Sequence, residues 1–393
     1  MKKFELVVVG GGLASARAIK AYREAGGGGR IALVSRDDSV PYHRPPLSKR
    51  YLRGETDREG TLVEPESFYA DQDVELLLSR TVEAVRPAGR RVELASGETL
   101  SYDKLLLAPG AFPRRLDVPG ADLDGVFTLR TLDDATRIRD AAAAAGRAVA
   151  VGGSFIGMET AASLRTLGVE VALVELAETL FPILDAPELS RGLADLYRDR
   201  GVELVLGESV ASFRGDGRLE AVETAGGRML PADLAVVGIG VVPQTAFLEG
   251  SGIELDNGIV VDQSFRTSAP DVWAAGDAAR FDDPVFGRAR RIEHWSNANY
   301  QGTEVGKAIA GADGRYDSVS TFFTEVFGVT IKVFGDTSQA EGRTFDDSLE
   351  RFLALYVEDG RLAGAVLSGQ DAETEERLKR PIRAHVPESE VAR

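Results

Sequence analysis

The chain has 393 residues, 44% of them hydrophobic and 27% charged, enough to build two or three packed domains. Its formal net charge of −16 argues against a nucleic-acid partner, which would need a concentrated basic face. It contains no cysteine, which excludes dithiol, sulfenate, iron–sulfur and zinc–thiolate chemistry by its own side chains. The histidines, His43, His294 and His385, are too scattered along the sequence to suggest a metal cluster, so redox work would fall to an organic cofactor. No apolar run is long enough to cross a bilayer. Met1-Lys2-Lys3 runs straight into a strand instead of a signal-peptide core. A cytoplasmic location without a membrane partner is the expectation.

The first element is the β-branched run Leu6-Val7-Val8-Val9, followed by the turn Gly10-Gly11-Gly12-Leu13-Ala14-Ser15. Leu13, Ala14, Ala16, Ala18, Ile19, Ala21 and Tyr22 then recur at helical spacing, and Ile31-Ala32-Leu33-Val34 reads as a second strand with Asp37 and Asp38 just beyond. Strand, glycine turn, helix, strand and acid make a dinucleotide-binding unit. Gly10 permits the tight turn, and Gly12 lets backbone N–H groups approach a pyrophosphate at the positive end of the helix. Ser15, in place of a third glycine, is small enough for helix to pack near strand.

Next comes Pro41-Tyr42-His43-Arg44-Pro45-Pro46-Leu47-Ser48-Lys49-Arg50, where paired prolines fix an extended path. Two readings are open here. One is a rigid surface connection with solvated cations; the other is a clamp with Arg44 on a phosphate or ribose and Lys49 near the electron-rich end of a cofactor. Short strands are expected at Val74–Leu78, Arg91–Leu94 and Tyr102–Ala108, the last stopping at Pro109-Gly110.

The opening pattern then recurs. Ala148–Val151 is a strand, Gly152-Gly153-Ser154-Phe155-Ile156-Gly157 a turn, Met158–Leu167 a helix and Val169–Val174 a strand closed by Glu175. Glu175 falls 18 residues beyond Gly157, close to the offset of about 20 expected for a carboxylate on a ribose 2′-OH. Two such units in one chain point to electron passage from one dinucleotide to another. Strand runs ending on glycine at 103–110 and 233–240 frame the second unit and suggest that it is inserted into the first. Val272–Asp277 is a further strand stop; Asp277 is placed either to meet a cofactor hydroxyl or to cap a helix. Trp295-Ser296-Asn297-Ala298 opens a helix with its first N–H groups available for a carbonyl or anion.

The last seventy or so residues read as a separate α+β domain. Its expected strands are Thr321–Glu325, Val329–Phe334, Arg351–Val357 and Leu362–Leu367, with a hairpin turn at Asp359-Gly360 and a closing helix at Asp371–Arg380. Phe322, Phe323 and Phe327 are most simply core. The fold class is therefore α/β, with two Rossmann-like dinucleotide-binding domains, one inserted in the other, plus the C-terminal α+β domain. The expected boundaries are 1–109 with 241–314, 110–240, and 315–393.

The sequence resembles the FAD-dependent, cysteine-free ferredoxin reductases of bacterial oxygenase systems, the putidaredoxin reductase and biphenyl dioxygenase reductase type. The matching stretches are Gly10–Ser15, Arg44-Pro45-Pro46-Leu47-Ser48-Lys49, Gly152–Glu159, Gly238-Ile239-Gly240-Val241-Val242-Pro243, Ala275-Gly276-Asp277-Ala278 and Trp295-Ser296-Asn297-Ala298. The resemblance implies electron passage from NADH through non-covalent FAD to a small iron–sulfur ferredoxin, by a monomer or homodimer.

It implies an FAD set of Gly10, Gly12, Leu13, Ala14, Ser15, Asp37, Arg44, Pro45, Lys49, Val82, Ala108, Arg130, Gly276, Asp277, Trp295 and Phe323. The implied nicotinamide set is Gly152, Ser154, Ile156, Gly157, Glu175 and Gly240. Lys49 and Glu159 match a salt bridge beside flavin N5, the catalytic pair. The family's acid after the second strand is displaced, with Arg36 in its place and Asp37 as substitute. Phe323 stands where many relatives carry a tryptophan. An NADH oxidase using oxygen directly and a redox sensor of the apoptosis-inducing-factor kind are the alternatives. Docking of an acidic ferredoxin would need a basic face, and Arg114-Arg115 and Arg288-Arg290-Arg291 are candidates.

Overall fold

The computed structural model describes residues 2–384, 386 and 387, so His385 lies outside the described residues. The chain forms two compact units. The first comprises residues 2–43, 59–112 and 242–320; the second comprises 44–58, 113–241 and 321–387.

The first unit is built on a parallel sheet of Val74–Leu77, Ile31–Val34, Lys2–Val9, Thr99–Leu107 and Val272–Ala274, in that spatial order. Ile31–Val34 is buried along its whole length, as a strand covered on both faces must be. The hairpin Val82–Arg86 with Arg91–Leu94 adds antiparallel strands to the first half of Thr99–Leu107. Register brings the carboxyl ends of the parallel strands level: Val9 pairs with Val34 and with Leu107, and Leu107 with Ala274. Gly10, Ser35, Ala108 and Ala275 therefore stand at one edge, where open α/β sheets bind ligands. The helices Leu13–Glu24 and Trp295–Ile309 pack tightly against each other. A Cβ on Gly302 would lie 2.5 Å from Ala14 O, and one on Gly306 2.4 Å from Ala18 O, so small residues set this contact.

The second unit repeats the plan. Its parallel sheet runs Val202–Leu206, Glu170–Glu175, Arg147–Val151, Leu234–Val237 and Val126–Thr128. Val151 pairs with Val174 and Val237, which sets Gly152, Glu175 and Gly238 at the carboxyl edge. A small antiparallel meander, Val210–Arg214, Ala221–Thr224 and Met229–Pro231, lies beside it in sequence. The C-terminal part is a five-stranded antiparallel sheet, ordered Thr321–Val326, Val329–Gly335, Arg361–Ser368, Leu353–Glu358 and Glu341–Asp346, with the helix Ala372–Ala384.

The Asp359-Gly360 turn forms as expected. Glu358 pairs with Arg361, and both turn residues have positive φ, the combination that matches strand twist. The strand Glu341–Asp346 was not foreseen, because five of its six residues are exposed and it lacks apolar alternation. Phe322, Phe323 and Phe327 are not core. Phe323 is 41% exposed and Phe322 half-buried on a strand at the sheet edge, and Phe327 is half-buried in the turn that follows that strand. Asp277 does not cap an α-helix either: a single 3-10 turn, Gly276–Ala278, gives way at once to the strand Ala279–Asp283.

Candidate functional site

In the first unit, Gly10 has φ +116°, a conformation that L side chains avoid, and a Cβ there would lie 2.0 Å from Ala108 O. A Cβ on Gly11 would strike Ser35 Oγ. Gly12 is the N-cap of helix Leu13–Glu24, and no side chain caps that end. The backbone N–H groups of this turn can thus be met by an anion at the positive end of the helix. Leu13, Ala14 and Ser15 are buried behind the turn, and the Ser15 hydroxyl is buried without a hydrogen-bond partner. This cradle, closed to a Cβ at Gly10 and Gly11 and holding an orphaned hydroxyl, fits a bound pyrophosphate group. Gly276 and Asp277 follow Ala275, just past the strand end at Ala274, on the same edge, and Val82 is half-buried in the added hairpin.

Trp295, 36% exposed, begins the helix Trp295–Ile309, which also lacks a side-chain cap. Its indole Nε1–H donates to His43 Nδ1 at 2.9 Å. Burial, then the nearby Arg17 charge, holds His43 below the usual imidazole range against the opposing pull of Glu64, so the ring is kept as an acceptor. Burial likewise pushes His294 down to about 4, with Asp277 pulling the other way.

Register also settles which residue of the first unit corresponds to Glu175. Val34 and Val174 hold the same place beside Val9 and Val151, so the equivalent of Glu175 is Ser35. Asp37 lies two residues further on, and its carboxylate accepts the Tyr42 hydroxyl at 2.6 Å. Arg36 sits over the Phe112 ring at 4.0 Å.

In the second unit, Gly152 has φ +110° and a Cβ on Gly157 would lie 1.8 Å from Gly152 O, so helix meets turn with no room for a side chain. Ser154 is the N-cap of helix Phe155–Thr166, again without a side-chain cap, and Ile156 is half-buried in its first turn. The Glu175 carboxylate folds back on the turn, accepting the Gly153 N–H on one oxygen and the Ala177 N–H on the other at 2.8 Å. Arg165 is committed to backbone carbonyls of Arg200 and Val169, and Arg137 packs over Phe127. Gly240 is exposed and accepts the Arg114 N–H through its carbonyl.

A buried polar cluster of this unit surrounds Lys49. The Lys49 ammonium lies 2.7 Å from Glu159 Oε2, with side-chain exposures of 9% and 5%. It also donates to Pro45 O at 3.2 Å, which leaves one of its three N–H groups without an acceptor among the described residues. Glu159 and Ser163 stand one turn apart on their helix and both grip the preceding residue. Ser48 Oγ donates to Glu159, and Ser163 Oγ donates to Ser48 O at 2.6 Å. This anchorage is why residues 44–58 pack with the second unit although their neighbours in sequence belong to the first. The same unit carries Arg44 and Pro45, the latter opening the 3-10 turn Pro45–Ser48. Arg130 stands just before the Thr131 capping box of helix Leu132–Ala142, and Phe323 is on the C-terminal sheet. Sequence reasoning named Lys49 and Glu159 but missed Ser48 and Thr324 as partners of Glu159, and Ser163 as the partner of the Ser48 carbonyl, because an isolated hydroxyl carries no pattern.

The candidate docking cluster at 288–291 changes character in the structure. Arg290, 15% exposed, pairs with the fully buried Asp283 at 2.9 Å. Arg291, 12% exposed, pairs with Glu293 and donates to Asp277 O. These charges are spent within the unit. Arg115 is 80% exposed and lies 3.7 Å from Asp122. No helix among the described residues is long and apolar enough to cross a membrane.

Comparison with known proteins agrees with this plan. Residues 4–302 match the pyridine nucleotide-disulphide oxidoreductase family. The chain is 36% identical over 367 residues to the 5,5′-dehydrodivanillate O-demethylase ferredoxin reductase subunit of a Sphingobium species, covering 92% of this chain and 89% of that one. Among solved structures, the covalent putidaredoxin reductase–putidaredoxin complex superposes with a TM-score of 0.93 at 31% identity, over 98% of this chain and 94% of the other. The ferredoxin reductase for the CYP199A2 system of Rhodopseudomonas palustris gives 0.92 at 33% identity, over 99% and 97%.

Proposed function

The chain belongs to the pyridine nucleotide-disulphide oxidoreductase family, and from that premise we propose that it is an FAD-dependent NADH:ferredoxin reductase serving an oxygenase system. The observation that carries this reading is the buried Lys49–Glu159 pair with one ammonium N–H left over, in a chain that has no cysteine. Bound FAD supplies the ability to accept a hydride from NADH and to release electrons one at a time to an iron–sulfur protein.

The residues divide the labour. Gly10, Gly12, Leu13, Ala14 and Ser15 hold the FAD pyrophosphate, with Asp37, Val82, Ala108, Gly276, Asp277 and Trp295 of the same unit as further contacts. Arg44, Pro45, Arg130 and Phe323 are the further residues that the family resemblance assigns to FAD. Lys49, held in place by Glu159, would offer bound flavin its positive charge and its unused N–H. The uncapped start of helix Trp295–Ile309 favours negative charge on a flavin carbonyl. Gly152, Ser154, Ile156, Gly157 and Gly240 receive NADH, and Glu175 takes the ribose 2′-OH while repelling a 2′-phosphate. The functional division is 1–109 with 241–314 for FAD, 110–240 for NADH and 315–393 at the C-terminus. The protein works in the cytoplasm, where NADH is made, as a monomer or homodimer.

The test is a visible spectrum of the purified protein, an NADH titration, and cytochrome c reduction with and without a plant-type or oxygenase [2Fe–2S] ferredoxin. Yellow protein bleached by NADH, with cytochrome c reduction that depends on the ferredoxin, is the expected result. Protein that is colourless and takes up no flavin overturns the proposal, and fast oxygen consumption without a ferredoxin replaces it with an oxidase.

A further inference from the structure

Glu159 receives a third donor that no sequence pattern announces. Its Oε2 takes Lys49 and the Ser48 hydroxyl; its Oε1 takes the Thr324 hydroxyl at 2.7 Å, from a residue 165 positions away on the first strand of the C-terminal sheet. Thr324 and Glu159 are 1% and 4% exposed, so water does not compete for that oxygen.

The physical need for this contact lies in the glutamate side chain. Its terminal torsion is broad and two-fold, so rotamer preference alone does not fix the carboxylate plane. With both donors on one oxygen, the group would swing about that oxygen. A donor on the other oxygen sets the plane, and with it the position of the ammonium. Threonine suits the task, because its β-branched side chain is stiff at χ1.

We propose that Thr324 is a positioning residue for the Lys49–Glu159 pair, its hydroxyl locking the carboxylate so that the remaining Lys49 N–H is held at one place for the flavin. The inference rests on the role given to that pair above. Through it the C-terminal sheet contributes to flavin reduction without touching the flavin at Thr324.

The experiment uses FAD-loaded protein and two readouts, the flavin midpoint potential and the rate of flavin reduction by NADH in stopped flow. Thr324→Val keeps the shape and removes the hydroxyl. One lost hydrogen bond to a charged group corresponds to about a tenfold slower reduction, with a lowered potential. Thr324→Ser restores both readouts. In a Glu159→Gln background, Thr324→Val adds less than about twofold, because its partner is already altered.

A wild-type potential and rate in Thr324→Val, while Glu159→Gln shifts both, overturns the inference and leaves the reductase reading standing. An equal Thr324→Val effect in both backgrounds also overturns it. If Glu159→Gln itself moves neither readout, the role of the ion pair fails, and that is a different failure.

Discussion

Glu175 and Gly153 are locked together: the carboxylate accepts the Gly153 N–H, and a Cβ at Gly153 would lie 2.8 Å from Glu175 Cγ. The acid is thus held at the glycine turn before any ligand arrives, which lowers the ordering cost of using it for recognition. Glu175→Ala is expected to raise KM for NADH about tenfold, to leave kcat within about twofold and to erode the preference over NADPH. Steady-state kinetics with both nucleotides check this, and an unchanged NADH-to-NADPH ratio would count against it.

Removing Lys49 leaves a buried carboxylate without its counter-charge. Such changes cost about 3–5 kcal/mol, and here the lower end is expected because Ser48 and Thr324 still donate to Glu159. Lys49→Met should lower the denaturant midpoint and slow flavin reduction tenfold or more. Glu159→Gln, which keeps an acceptor for Lys49, should cost less stability. Equal midpoints for wild type and Lys49→Met would show that the pair is not buried as described.

The helix carrying the first glycine turn is positioned by backbone-close packing. Gly306→Ala introduces a methyl 2.4 Å from Ala18 O, which neither helix can absorb without moving. A loss of about 1–3 kcal/mol is expected, together with weaker FAD retention, because the displaced helix begins at Gly12. Thermal unfolding and flavin content after gel filtration report the two effects.

Acid sensitivity follows from His294. Its folded value of about 4 lies below the unfolded value of about 6.5, so the unfolded chain binds the extra proton first. Stability from this group is fully present above pH 6.5 and is lost as pH falls toward 4, by at most about 3 kcal/mol. Urea midpoints of wild type and His294→Gln should converge as pH drops from 7 to 4.5; a gap that stays constant would refute the assignment.

Docking of an acidic ferredoxin should depend on Arg114 and Arg115 and not on Arg290. Arg114→Ala with Arg115→Ala is expected to raise the ferredoxin KM and flatten its salt dependence, since both side chains are exposed. Arg290→Ala should instead act on stability, by stranding Asp283, a carboxyl whose pKa burial already raises against the pull of Arg290. A salt-sensitive docking loss confined to Arg290→Ala would reverse this assignment.

Local chemistry made much of the molecule legible before any coordinates. The runs 6–9 and 148–151, the turns at Gly10 and Gly152, and the acid at Glu175 are signals written within about thirty residues of chain, where strand period, turn sterics and helix dipole act. The Asp359-Gly360 hairpin was readable for the same reason. Failures came where burial and strand pairing, which the local sequence does not announce, decide a side chain's surroundings. Arginines 290 and 291 looked like free cations until Asp283 and Glu293 were seen beside them. The phenylalanines at 322 and 323 looked like core because nothing in their own segment says that the strand is an edge.

By itself, then, the amino-acid order determined that this protein has two glycine-turn units, a carboxylate just past the second strand of the second unit, and no thiol with which to do redox chemistry. Only the tertiary structure decided that Ser35 takes the place of that acid in the first unit. It alone decided that Ser48 and Thr324 converge with Lys49 on one buried carboxylate. Register and burial are properties of elements brought together from far along the chain, and a lone hydroxyl acquires its partner only when a sheet more than a hundred residues away has folded against it.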